Sequence, residues 1–111
     1  MRTWKIDISE KIKNNKTIFG ISGRPLGNQQ RKIWKIDQEE EQYEEIVIII
    51  APHILSISSS FFLGFLGKSV RKCGTREAFL QKYKFQCSSS IMVSVEEGIK
   101  DALREGSGLD I

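Results

Sequence analysis

The stretch Ile46–Gly67, IVIIIAPHILSISSSFFLGFLG, decides the fold of this 111-residue chain. It contains no Asp, Glu, Lys or Arg, although 28% of the chain is charged. The β-branched run Ile46–Ala51 favours a buried strand, and Pro52 breaks the chain directly after it. The serines Ser58–Ser60 then open a helix. We interpret the stretch as the central strand and the central helix of one domain.

A membrane-spanning helix is the alternative for this stretch, because its length and apolar character suit a bilayer. Pro52 would interrupt such a helix, and His53 and the serines would lie at its middle depth. The N-terminus, MRTWKIDIS, lacks the apolar core and cleavage site of a signal peptide. We therefore expect no membrane segment and a cytoplasmic location, with Cys73 and Cys87 reduced rather than joined in a disulfide or a metal pair.

The rest of the chain predicts strands and helices in the order β-β-α-β-α-β-α. Alternating apolar residues predict strands at Trp4–Ile8, 17–22 and Tyr83–Cys87. The first helix is predicted from its cap Asn28 to Tyr43, and the second from the serines to Cys73, where Gly74 ends it. A short helix is predicted over Thr75–Lys82. The last helix is predicted to begin at the capping box Ser94–Glu97 and to end at Gly106. The predicted fold class is α/β, with a mixed sheet and helices packed on it.

A chain of this length and composition is expected to form one domain. We predict a single domain over residues 1–111, with a core at about 17–105 and a loose C-terminal tail at 106–111.

Charge is strongly segregated along the chain, whose net charge is +3. Residues 1–36 carry nine Lys or Arg and two acidic residues, whereas residues 37–45 carry six acidic residues and no basic one. This pattern permits an anionic partner near the basic parts, but the interpretation that it favours is a solvated surface whose opposite charges complement one another.

Motifs for catalysis are incomplete in this sequence. His53 has no partners at the spacing of a triad or a metal site, and the two cysteines form no CxxC motif. Gly67-Lys68-Ser69 ends like a P-loop, but Phe62 stands where its first glycine belongs. We therefore predict no catalytic residue, no metal site and no cofactor, and do not expect an enzyme.

Two stretches are candidate sites. The first is Ser58–Ser60, since a helix N-terminus favours an anion and tolerates a phosphate on a serine; plain N-capping would need only one of these serines. The second is the loop from Gly23 to Arg31, whose members Gly23, Arg24, Gly27 and Arg31, together with Lys68, are candidate contacts for an anion or a partner. A structural turn with exposed arginines is the alternative there.

The apolar strand followed by ILSISSSFFLGFLGKSV, KYKFQC and a final amphipathic helix resembles the small STAS-like domains of unknown function, in which an SSF motif opens the helix after the central strand. The SGRPLG segment is similar to the Gly/Arg loop before their first helix. The resemblance covers roughly residues 17–105 and is most specific in SSSFFLGFLGK.

The same strand-to-helix junction carries an Asp-Ser-Ser-Gly motif in bacterial anti-sigma-factor antagonists, the STAS domains whose first motif serine is phosphorylated by a kinase-like anti-sigma factor. Laid on this chain, that serine falls on Ser59 and the next on Ser60. The chain has Ser58 where the motif has Asp, and Phe61 where it has Gly.

The resemblance implies a non-enzymatic regulatory or protein-interaction domain of a bacterial cell. Its expected partner is a histidine-kinase-type ATPase that docks at the serine-lined helix start. The alternative is a small module that binds an anion, a nucleotide or nucleic acid, through the Gly/Arg loop. The absence of interleaved aromatic and basic residues argues against nucleic acid.

Overall fold

The computed structural model describes residues 2–8, 20–52 and 54–108. Within these residues the chain forms five strands, β1 Thr3–Asp7, β2 Gly20–Ile21, β3 Glu45–Ile49, β4 Ser56–Ile57 and β5 Tyr83–Gln86. It also forms five α-helices, α1 Arg24–Ile33, α2 Ile36–Glu39, α3 Ser59–Cys73, α4 Arg76–Lys82 and α5 Ser89–Gly108, with a 3₁₀ turn at Glu40–Gln42. The predicted strand residues 17–19, His53 and the tail residues 109–111 lie outside the described residues.

The described strands form two parallel sheets rather than one mixed sheet. Strand β3 is the centre of a three-stranded sheet of order β1-β3-β5, in which Ile48 pairs with Ile6 on one side and Phe85 on the other. Strands β2 and β4 form a separate two-stranded parallel sheet. Parallel neighbouring strands need a crossover connection between them, and helices provide these connections here. The predicted α/β class, with helices packed on a sheet, is confirmed.

Helix α3 is the central helix, as the opening stretch predicts. It packs against α1 on one side and α5 on the other. Its buried aromatic residues Phe61, Phe62 and Phe65 join the isoleucines of β3 in one core. Gly74, with a φ of 87°, ends the helix in the left-handed conformation that glycine adopts without strain. Across the described residues, no helix has both the length and the apolar character needed to cross a membrane.

The first helix begins earlier and ends earlier than predicted. It starts at Arg24 rather than at Asn28, and Pro25 lies in its first turn. The N–H group that proline lacks would have no hydrogen-bond partner within the helix at this position. The Gly/Arg loop is therefore mostly helix. The helix ends at Ile33, because Lys35 takes a left-handed conformation with a φ of 56°. The continuous helix predicted to Tyr43 is thus wrong, since Asp37 and Glu39 lie in α2, Glu40 and Glu41 lie in the 3₁₀ turn, and Glu45 begins β3.

The last helix begins at Ser89 rather than at the predicted capping box Ser94–Glu97. Ser88 Oγ accepts a hydrogen bond of 3.2 Å from the amide of Ile91, which caps the helix one turn before that box. The helix continues through Gly106 to Gly108. Residues 106–108 therefore belong to a helix and not to the loose tail that the sequence predicts.

Candidate functional site

The two parallel strands β2 and β4 each lead directly into a helix, so the N-termini of α1 and α3 lie side by side. Ser58 Oγ accepts hydrogen bonds from the amide of Phe61, at 3.1 Å, and from the amide of Gly23, at 3.2 Å. The first bond is an N-cap for α3, and the second joins this helix start to the turn before α1. Ser58 therefore fixes two predicted site stretches to each other.

The other two serines of the triplet differ from Ser58 in their surroundings. Ser60 is exposed and its Oγ lies 3.0 Å from Ser58 Oγ, while Ser59 is half-buried at the first position of α3. Leu55, three residues before the cap, is a large apolar side chain that is 67% exposed. We call the surface formed by Gly23 and Ser58–Ser60 the serine junction.

Two glycines bring the backbones of α1 and α3 together beside the serine junction. A Cβ at Gly27 would overlap the carbonyl oxygen of Phe61, and a Cβ at Gly64 would overlap the carbonyl oxygen of Arg24. Gly27, a predicted contact residue, is buried in this helix crossing. Backbone atoms of α3 therefore occupy the space next to Gly27.

A groove of about 460 Å³ lies along this helix pair. Among the described residues, five cationic side chains line it: Arg24, Arg31, Lys32, Lys68 and Arg71. Two acidic side chains, Asp37 and Glu105, line it as well, so its formal charge is +3. We call it the basic groove. It brings together the three cations that the sequence predicts as a site, Arg24, Arg31 and Lys68.

Arg31 differs from the other cations of the groove because its side chain is only 7% exposed. Its guanidinium donates to Asp37 Oδ1 at 3.0 Å, to the carbonyl of Phe65 at 2.9 Å and to Ser69 Oγ at 3.0 Å. These internal partners satisfy much of its hydrogen-bonding capacity. Arg31 therefore forms the floor of the groove, with internal hydrogen bonds, rather than a free exposed contact.

Beneath Arg31 lies a buried polar cluster centred on Glu40. The carboxylate of Glu40 accepts hydrogen bonds from Tyr83 Oη at 2.7 Å, from Ser69 Oγ at 2.8 Å and from Lys72 Nζ at 2.9 Å. It also lies 3.6 Å from Arg31 Nη2. This cluster joins α1, the 3₁₀ turn, α3 and β5.

The pKa values in this cluster follow from burial and from these hydrogen bonds. Burial alone would raise the pKa of Glu40, but the bonds from Tyr83, Lys72 and Ser69 outweigh it and hold the pKa below its ordinary value. Hydrogen bonds to Glu41 and Glu40 raise the pKa of Lys72 to about 12. Burial raises the pKa of the Tyr83 hydroxyl. At neutral pH the cluster is therefore ionised at Glu40 and Lys72 and neutral at Tyr83.

The groups that the sequence excludes from catalysis have no reactive arrangement where they are described. Burial raises the pKa of both cysteine thiols, Cys73 and Cys87, which disfavours a reactive thiolate. Gly67-Lys68-Ser69 lies inside α3, and Ser69 is buried, so this fragment does not form a phosphate loop. Within the described residues, no group of three or more His, Cys, Asp or Glu side chains is placed to hold a metal ion.

Four charged residues of the groove were missed by reasoning from sequence: Lys32, Asp37, Arg71 and Glu105. Arg71 lies three residues after Lys68 on α3, and residues at this spacing are neighbours on a helix surface. The sequence alone shows this spacing. Glu105 comes from the distant helix α5, and only the packing of α5 on α3 brings it there. Its role has no local sequence signal.

A comparison of the chain with protein-family models, curated proteins and solved structures finds no match.

Proposed function

We propose that this domain is a non-enzymatic regulatory module of the bacterial cytoplasm that binds a protein partner at the serine junction. The resemblance to STAS-like domains names the class of partner, a histidine-kinase-type ATPase. The observation that carries the proposal is the double hydrogen bond of Ser58, from Phe61 and from Gly23. It holds two helix N-termini together beside Ser60, and the exposed Leu55 lies three residues before Ser58 in the chain.

Phosphorylation at Ser59 fits this geometry better than phosphorylation at Ser58. Ser58 Oγ already accepts two backbone hydrogen bonds, and a phosphoryl group there would replace the cap of α3. Ser59 occupies the first helical position, where the helix dipole stabilises an added negative charge. We therefore assign Ser59 as the site of the switch and Ser58 as its support.

The exposed Leu55, three residues before Ser58 in the chain, supports protein docking next to the serine junction. A large apolar side chain that is 67% exposed gains contact area when a partner covers it. Two acidic groups whose pKa values are shifted, Glu40 and Tyr83, lie instead in a buried cluster where Tyr83 donates a hydrogen bond to Glu40. This division supports a binding role for the domain rather than a catalytic one.

The test mixes the full chain with a histidine-kinase-type ATPase and Mg-ATP, and follows the intact mass of the chain. We expect the addition of one phosphoryl group, which Ser59→Ala abolishes and Ser60→Ala leaves in place. Ser89→Ala is the matched control, because Ser89 follows a capping serine, Ser88, at the start of α5. It should be phosphorylated like the wild type.

Binding is measured separately from phosphorylation, by calorimetry with the same ATPase. Leu55→Asp should weaken binding at least about tenfold, as loss of a buried apolar contact does, without lowering the unfolding temperature. Ser59→Asp should also weaken binding, because it carries the negative charge of the modified state. An unmodified wild type, together with wild-type binding by Ser59→Asp and Leu55→Asp, would exclude this function.

A further inference from the structure

We propose that the basic groove binds the phosphate groups of a small polyphosphate anion, and that the carboxylate of Glu105 takes their place in the free protein. This site is separate from the serine junction and does not depend on the proposed partner. Its first support is charge. Among the described residues, five cations and two acids line the groove, and Lys32 has no ionic partner in that part of the chain.

The two carboxylates show where the oxygens of an anion fit. Glu105 lies between Arg24 of α1, at 2.8 Å, and Arg71 of α3, at 3.5 Å. Asp37 lies in the same way between Arg31 of α1, at 2.8 Å, and Lys68 of α3, at 3.5 Å. Each carboxylate therefore bridges one cation from each helix. The cations of the groove are spaced to share anionic oxygens.

The two bridges differ in how readily a ligand would displace them. Asp37 is held by the buried guanidinium of Arg31, whose hydrogen bond lowers the pKa of that carboxyl. At the other bridge, the side chains of Arg24, Glu105 and Arg71 are 47%, 45% and 36% exposed. Exposed ion pairs of this kind contribute roughly 0 to 1 kcal/mol. Glu105 is thus the carboxylate that an incoming anion displaces.

The rest of the lining indicates which anion fits. The volume of about 460 Å³ is that of a small-molecule site. The uncharged lining residues are Asn28, Leu63 and Gly64, and no aromatic side chain of the described residues lines the groove to stack a base. Arginine pairs bind phosphate oxygens in a fixed geometry. The groove therefore reads phosphate groups, carried by a free polyphosphate or by a nucleotide, and not the base.

Calorimetric titration of the full chain with inorganic tripolyphosphate tests this site. Arg24→Gln and Arg71→Gln should each weaken binding about fivefold, the loss of one exposed ionic contact. Arg76→Gln is the matched control, since Arg76 pairs with Glu96, outside the groove, and its loss changes the net charge equally. ATP should bind within about threefold of tripolyphosphate, because the base gains no stacking contact.

The variant Glu105→Gln gives the decisive result, because the proposal predicts a gain. Removal of the competing carboxylate should tighten tripolyphosphate binding about threefold or more, a result that a misfolded variant would not give. No binding at millimolar tripolyphosphate, an equal loss in all three arginine variants, or unchanged binding by Glu105→Gln would overturn the site. Tighter binding of an oligonucleotide or an acidic peptide, insensitive to Arg24 and Arg71, would overturn it as well.

Discussion

Ser58 and Ser59 are neighbours in sequence but hold different positions at the start of α3. Ser58 Oγ receives the amide of Phe61 within its own helix and the amide of Gly23 from the adjoining turn. Ser59 already lies in the helix, where its hydroxyl is not needed as a cap. Ser58 therefore stabilises the start of the helix through two hydrogen bonds, whereas Ser59 does not act as its cap.

This difference predicts unequal effects of two alanine substitutions on stability. Ser58→Ala removes the cap and leaves the Gly23 amide without its acceptor, so we expect a loss of about 1 to 2 kcal/mol in the free energy of unfolding. Ser59→Ala should change it by less than about 0.5 kcal/mol. Urea unfolding followed by circular dichroism measures both.

Ser88→Ala provides the internal reference for this pair. Ser88 caps α5 through the amide of Ile91 alone, so we expect it to cost about 1 kcal/mol, less than Ser58→Ala. Equal losses for Ser58→Ala and Ser59→Ala would contradict the assignment of the cap.

At the scale of elements, the pairing of α1 with α3 depends on two glycines that face each other. Gly64 of α3 lies against the backbone of Arg24 and Asn28, and Gly27 of α1 lies against that of Phe61 and Phe65. Backbone atoms cannot move aside as the end of a flexible side chain can. The distance between the two helices is therefore set by the absence of side chains at this crossing.

Two alanine substitutions three residues apart on α3 should have opposite effects. Gly64→Ala forces α1 away, so we expect a loss of about 1 to 3 kcal/mol of unfolding free energy. Gly67→Ala meets only the side chains of Arg71 and Leu63, and the better helix propensity of alanine should stabilise the protein by up to about 1 kcal/mol. Thermal unfolding of both variants measures the difference. Two losses of equal size would contradict the close crossing.

The elements that the sequence predicts well are those with strong local signals. Strand β3 follows from its β-branched run, α3 from its capping serines and Gly74, and α4 from Thr75, whose Oγ1 accepts the amide of Ala78 at 3.1 Å. The start of α1 is predicted wrongly because proline and glycine in a loop or in a first helical turn look alike in sequence. Only contact with α3 decides between them.

The start of α5 has a local sequence signal that the capping box at Ser94 obscures. Ser88–Ser90 before an apolar residue repeats the pattern of Ser58–Ser60. In each triplet the first serine caps the helix, because its Oγ accepts a hydrogen bond from the backbone N–H three residues later. The buried stripe of Ile91, Val95 and Ile99 already indicates that the helix includes the extra turn. The capping box at Ser94 is a weaker signal than this stripe.

At the scale of the whole molecule, the acidic run of residues 37–45 pairs in part with the basic helices. Asp37 lies beside Arg31 and Lys68, and Glu40 and Glu41 both accept hydrogen bonds from Lys72. The segregated charge of the sequence thus becomes internal complementarity along one side of α3. It leaves an excess of positive charge at the basic groove. Which cations remain unneutralised depends on tertiary contacts, such as that of Glu105, which sequence spacing does not display.

This complementarity predicts that the protein loses stability in acid, with Glu40 as the main contributor. Its pKa in the folded state lies below its ordinary value of 4.5. An acid whose pKa is lowered by folding stabilises the protein above its ordinary pKa, and that contribution disappears as the pH falls through the folded value. The unfolding temperature should therefore fall steeply below about pH 4.5, with Asp37, whose pKa is also lowered, adding to the effect.

Glu40→Gln separates the contribution of this one carboxylate from the general effect of acid. At pH 7 the free energy of unfolding of the variant should be about 3 kcal/mol lower than that of the wild type. The reason is that Arg31 and Lys72 lose a buried counter-charge and Tyr83 loses a charged hydrogen-bond acceptor. Below the folded pKa of Glu40 the wild type carries a neutral acid at the same place, so the two proteins should converge in unfolding temperature. Thermal unfolding from pH 7 to pH 3 measures this convergence. A difference in unfolding temperature that stays constant over that range would contradict this role of the charge. It would mean that the hydrogen bonds of Glu40, rather than its charge, hold α1, α3 and β5 together.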